Sequence, residues 1–208
     1  MTRCLQIHEL VLRRGDRTVL NGVTMHVAGH EIVAVVGPNG CGKSTLLASV
    51  AGVLAPVAGQ ITVDDFDVWG SQKAQHAARR KLGYVPENAD APGFLTGGEL
   101  ATLAAAARGV AGPSASVVQQ LGLDELASVR LDFMSLGQRR RAGLGAAFAG
   151  PPSLLVLDEP DNGLDIARLA ALTEALREFA SNGGAVLLAS HDHNFAMQVG
   201  ARLLPLQR

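Results

Sequence analysis

Apolar and polar positions alternate along this chain with two different periods. Residues 5–12 and 17–27 carry short apolar or alternating stretches around Arg13-Arg14-Gly15-Asp16, a pattern that predicts a strand, a turn and a second strand. Glu31 to Val36 (EIVAVV) is almost purely apolar and β-branched, as expected of a strand buried on both faces. It runs into a Gly-rich loop, after which STLLASVAGVL predicts a helix. A further strand is expected at Gln60 to Val63, followed by a polar, basic helix near residues 71–81.

Residues 88–135 have another character, with Gly/Pro punctuation, an Ala-rich helical segment from Glu99 to Arg108 and a second short helix near Ser114 to Leu121. Beyond them the pattern predicts a helix from Gly137 to Ala149, a buried strand SLLVLDEP, a helix from Asp165 to Ala180 and a strand AVLLASHD. Strands alternating with helices predict an α/β fold with a parallel sheet. The expected organisation is one domain, 1–208, with a core of 1–87 and 138–208 and an inserted helical lobe at 88–137.

Composition narrows the class. The 208 residues suffice for one buried core and are 48% apolar but only 4% aromatic, so Leu, Val and Ala must build the interior. A net charge of −1 gives no global electrostatic case for nucleic acid, and none is expected as a partner. Two cysteines, Cys4 and Cys41, make no disulfide framework and have no metal-ligand spacing. The start has no apolar leader, and no apolar run approaches the roughly 18 residues that span a bilayer. A soluble, cytoplasmic chain is expected, borrowing any membrane part from another protein.

Two motifs carry chemistry. Gly37-Pro38-Asn39-Gly40-Cys41-Gly42-Lys43-Ser44, with Thr45 after it, fits G-x-x-x-x-G-K-S/T between a buried strand and a helix. Its backbone N–H groups and helix N-terminus suit phosphate, Lys43 suits the β- and γ-phosphates, and Ser44 offers Mg²⁺ a hydroxyl. Cys41, among inward-pointing N–H groups and two residues before Lys43, stands where a thiolate is favoured. Its alkylation is expected to block ATP binding. In the second motif, Ser153 to Pro160, an apolar strand ends in two acids at the carboxyl edge of the sheet. Asp158 can hold Mg²⁺, and Glu159 can orient a water for attack on the γ-phosphate. Together these motifs imply a P-loop ATPase.

The remaining segments resemble those of the ABC family. Met134-Ser135-Leu136-Gly137-Gln138 with Arg141 resembles the ABC signature, and Tyr84-Val85-Pro86-Glu87 the Q-loop. Asn162-Gly163-Leu164-Asp165 resembles the D-loop and Ser190-His191-Asp192 the switch-histidine region, all in the family's order along the whole chain. The resemblance implies a RecA-like parallel sheet with an N-terminal antiparallel β subdomain and an inserted helical subdomain. It also implies a homodimer or heterodimer of ATPase subunits enclosing two ATPs head to tail, with Ser135 and the Gly137 N–H facing the partner's γ-phosphate. Lys43, Glu159 and His191 would be catalytic, and Ser44, Asp158 and Glu87 would face Mg²⁺. A transmembrane permease subunit and a place at the cytoplasmic face of the plasma membrane follow from the same resemblance.

Four departures accompany it. Glu87 stands where Gln is usual, Leu136 replaces the first signature Gly and Met134 replaces Leu. Arg14 stands where an aromatic usually stacks on adenine; it can stack on a base or be a solvated turn residue. Of the run Arg139-Arg140-Arg141, a solvated face with one buried Arg is expected. The short chain and the Ser-Leu-Gly signature resemble export subunits. A non-transport ABC ATPase and a catalytically silent partner in a heterodimer are the rival readings.

Overall fold

A computed structural model describes residues 3–88, 91–150 and 152–206. Among these described residues nine strands fall into two sheets. β1 (Arg3–Arg14) and β2 (Arg17–Ala28) form a long hairpin, and β4 (Ala58–Val63) with β5 (Phe66–Asp67) extends it to a four-stranded antiparallel sheet of order β2-β1-β4-β5. The second sheet is wholly parallel. It contains β3 (Ile32–Val36), β6 (Leu82–Val85), β7 (Leu154–Asp158), β8 (Ala185–Ala189) and β9 (Arg202–Pro205) in the order β6-β7-β8-β3-β9.

The apolar runs explain this sheet. Alternate residues of a strand point to opposite faces, and here each face has its own core. Val33, Val35, Leu154, Val156, Ala185 and Leu187 join the core shared with the antiparallel sheet. Ile32, Ala34, Leu155, Leu157, Val186 and Leu188 join the core under the helices. A strand buried on both faces has no polar positions to alternate, so it reads as an unbroken apolar run.

Among the described residues seven α-helices connect the strands: α1 (Lys43–Val50), α2 (Gln72–Arg80), α3 (Gly97–Arg108), α4 (Ala115–Leu121), α5 (Leu136–Phe148), α6 (Ile166–Ser181) and α7 (His193–Gln198). α1 stops four residues short of the expected Leu54, because Gly52 adopts φ 75° and turns the chain out of the helix. α3, α4 and two 3₁₀ turns lie in sequence between β6 and α5, with a small core of Leu126, Leu131, Met134 and Ala142. α5 belongs to both regions: Ala142 packs in this small core and Leu144, Ala147 and Phe148 in the main one. Four elements were not anticipated from the sequence: β5, β6, α7 and β9. The strand read as AVLLASHD ends at Ala189, and Asp192 instead caps α7 by accepting from the Asn194 and Phe195 N–H groups. Among the described residues no helix is long and apolar enough to cross a membrane.

Candidate functional site

The carboxyl ends of β6, β7, β8 and β3, neighbours in that order, deliver Pro86-Glu87, Asp158-Glu159, Ser190-His191 and the phosphate loop to one edge of the sheet. Ligands of open α/β sheets bind at this edge. A cavity of about 690 Å³ opens there, lined by Asn39, Gly40, Gly42, Lys43, Ser44 and Thr45 from the loop and α1 and by Glu87, Glu159 and His191. The rest of its wall comes from the β1–β2 hairpin, including Arg14, Arg17 and Val19. A basic groove along α2 has the same volume but contains none of the motif residues.

The loop is shaped around Lys43. Gly42 caps α1 at φ 111°, and a Cβ there would lie 2.8 Å from Val19 Cγ1, so only glycine lets the loop settle on β2. Lys43 is 6% exposed, and its Nζ donates to the carbonyls of Gly37 at 2.9 Å and Pro38 at 3.4 Å. The ammonium thus sits over the loop, at the N-terminus of α1, where the helix dipole adds positive potential. Cys41 departs from expectation. Its backbone N–H closes the loop on Pro38 O, but its side chain is 1% exposed and joins the core, with Sγ turned toward Gly37 and away from the cavity wall. The thiol therefore does not face the phosphate site, and alkylation is not expected to compete with ATP.

The two acids behave differently although adjacent. Asp158 is 2% exposed; burial pushes its carboxyl up, a hydrogen bond from Ser44 opposes the shift, Glu87 adds to it, and Arg140 and Lys43 counter it. Asp158 Oδ1 is buried without a hydrogen-bond partner. Together with the Ser44 hydroxyl, this orphaned oxygen makes a set of hard oxygen donors of the kind Mg²⁺ takes. Glu159 follows in the left-handed region, φ 49°, a conformation that costs a non-glycine residue about 1–3 kcal/mol and is found at functional sites. Its backbone N–H donates to Ala189 O, and its carboxylate is gripped by His191: Oε2 accepts the His191 backbone N–H at 3.0 Å and Oε1 lies 3.0 Å from Nε2. Burial pushes Glu159 up and these His191 contacts hold it down.

Arg140 links the strand ends. At 2% exposure it donates to Pro86 O at 2.8 Å, Glu87 O at 2.6 Å and Asp158 O at 3.3 Å. Arg141 is buried too, donating to Leu121 O, Gly122 O and Glu125. The run therefore holds two buried arginines, where one was expected. Arg14, which the sequence placed near the base, does line the cavity; sequence reasoning missed the Arg140 clamp, the rest of the hairpin wall and the Ser190–Asp161 bond, in which the hydroxyl donates at 3.0 Å. Only a charge run flagged the first of these.

The signature stands apart from this cavity. Ser135 caps α5 through a capping box: Ser135 Oγ accepts the Gln138 N–H and Gln138 Oε1 accepts the Ser135 N–H. Leu136 is 52% exposed, and Gly137 packs so tightly on the loop before α6 that a Cβ would lie 2.4 Å from Gly163 O. Asp165 caps α6, its Oδ1 accepting the Arg168 N–H at 2.8 Å. None of residues 135–138 lines the cavity of their own chain.

A family model described as ABC transporter matches residues 20–162, more than half the chain. The chain belongs to the ABC transporter family. It is 35% identical to the zinc import ATP-binding protein ZnuC of Cereibacter sphaeroides over 97% of this chain and 78% of that protein. It is also 35% identical to the cytochrome c biogenesis ATP-binding export protein CcmA of Aromatoleum aromaticum, over 94% of this chain and 92% of that one. A solved ATP-binding subunit of an ABC transporter superposes with a TM-score of 0.88 at 28% identity, covering 98% of this chain and 86% of its own. The fold is accordingly the ABC ATPase α/β fold. The chain is an ATP-binding subunit of an ABC transporter and an ATPase.

Proposed function

We propose that two copies of this chain, or this chain and a related one, close head to tail over two ATPs and drive a substrate through a separate transmembrane permease. The observation that carries the reading is the Glu159 carboxylate, fixed by His191 on the wall that also presents Lys43 and Ser44. In this reading Gly37 to Thr45 hold the phosphates and Lys43 neutralises the β- and γ-phosphates. Glu159 accepts a proton from the attacking water, and His191 keeps its carboxylate aimed. Mg²⁺ would be held by Ser44 and Asp158 with Glu87 beside them, and would supply positive charge to the phosphates. Ser135, Leu136, Gly137 and Gln138 serve the partner's ATP, which accords with their standing off their own cavity, and Asp165 shapes the loop between the two sites.

The inserted lobe, 88–137 against a core of 1–87 and 138–208, carries this signature. Membrane association then comes through the permease, at the cytoplasmic face. Export is the direction supported by the Ser-Leu-Gly signature and by the 35% identity to the export relative. Equal identity to the import relative supports the opposite direction, so reconstitution with the co-purifying permease decides.

Glu159→Gln tests the catalytic assignment. The amide cannot take a proton, so turnover should fall about 10²- to 10⁴-fold while ATP binding persists. Size-exclusion chromatography with Mg-ATP should show a trapped dimer. Wild-type hydrolysis by the variant would remove Glu159 from the role.

A further inference from the structure

The wall that the β1–β2 hairpin gives the cavity differs in kind from the wall at the phosphate loop. Val19 touches the loop at Gly42, and Arg17 lies two residues back along β2, about 7 Å at the rise of a strand. With phosphates on the loop, this end of the cavity takes the base. It presents two arginines: Arg14 and Arg17 face each other directly across the hairpin and both line the cavity.

Neither guanidinium has a hydrogen-bond or ion-pair partner among the described residues, whereas Arg13 in the same turn donates to Asp16 O at 2.8 Å. Like charges directly opposed on a hairpin destabilise it, so the pair stands ready for a ligand that accepts hydrogen bonds. Phe, Tyr and Trp are absent from the cavity's lining residues, and its two carboxylates, Glu87 and Glu159, come from the strand ends at the phosphate side.

A guanidinium is a planar fork of donors with no acceptor. Guanine offers two adjacent acceptors, O6 and N7. Adenine offers N7 beside an amino donor, which a guanidinium repels. Val19 and Val23 line the same cavity, and apolar side chains would not distinguish one purine from the other. We propose that Arg14 and Arg17 make this a purine site that takes GTP at least as tightly as ATP, so that the chain hydrolyses both. The inference rests on the nucleotide reading of the cavity and adds the base that it selects.

Equilibrium titrations with Mg-ATP, Mg-GTP and Mg-tripolyphosphate test it. In the wild type the GTP dissociation constant should not exceed that for ATP. Arg14→Lys and Arg17→Lys keep the charge and lose the fork. In at least one of them GTP should weaken against ATP by about tenfold, the value of one bidentate purine contact, with tripolyphosphate binding unchanged. Wild-type preference for ATP by tenfold or more, or an unmoved ratio in both lysine variants, would overturn the proposal and leave the phosphate-loop reading intact. Binding of neither nucleotide by folded protein would overturn both.

Discussion

Arg140→Met removes a buried cation that bridges the ends of β6 and β7. Two of its bonds are short, to Pro86 O at 2.8 Å and Glu87 O at 2.6 Å, and the third, to Asp158 O at 3.3 Å, is long enough to neglect. A hydrogen bond from a charged donor contributes about 1.5–3 kcal/mol, so two give about 3–6 kcal/mol. Against this stands the cost of burying the guanidinium, visible in its lowered pKa, which burial causes and which Asp158, Asp161, Glu87 and Glu159 oppose. Methionine escapes that cost and fills the volume, which places the net loss near the lower bound, about 3 kcal/mol. For a domain of this size that is about 6–12 °C in Tm.

Urea denaturation followed by circular dichroism should show a lower midpoint with an unchanged slope. Loss of the shared cation should push Asp158 and Asp161, both already raised by burial, up further. A carboxyl raised in the folded state contributes stability that disappears as pH rises through its folded value, so the deficit should be larger at pH 8 than at pH 5. Arg140→Lys, a point charge that cannot reach both carbonyls, should fall between. A methionine variant within about 1 kcal/mol of wild type would refute the clamp.

Asp161 is pushed up chiefly by burial, and its Oδ1 has no partner. Below the ordinary carboxylate range the half-buried acid costs little, but as pH rises through its raised folded value it must ionise in the fold. Asp161→Asn should therefore raise Tm at pH 7 by a few degrees and leave it unchanged near pH 4, as scanning calorimetry would show. Glu87 lines the cavity and raises Asp158 by its charge, so Glu87→Gln should retain ATPase activity but shift the half-maximal Mg²⁺ concentration. Superimposable magnesium titrations would mean that Glu87 does not sense the ion. Cys4, whose thiol burial pushes up to about 12, and Cys41 at 1% exposure should both resist a thiol reagent in the native protein and react in denaturant. Rapid labelling of Cys41 would restore it to the phosphate site.

Features written contiguously were legible in the sequence. The phosphate loop is eight successive residues whose glycines and lysine act through their own backbone, and EIVAVV and SLLVLDEP declare doubly buried strands because neither face tolerates a polar residue. Asp158 and Glu159 are adjacent, and the strand's end fixes where both emerge. β6 escaped because four residues, LGYV, give too little pattern; its Gly83 is there because a Cβ would lie 2.2 Å from Ala147 O, a contact made 64 positions away. β9 escaped because its edge place leaves it mostly exposed. The direction of Cys41, the bond between Glu159 and His191 across 32 positions, the span of Arg140 to the carbonyls of Pro86 and Glu87, and the pairing of Arg14 with Arg17 in the cavity wall were settled by packing. Local chemistry fixes which atoms can donate or accept, but which of them meet depends on how the two faces of the parallel sheet are buried. That is a property of the whole chain at once.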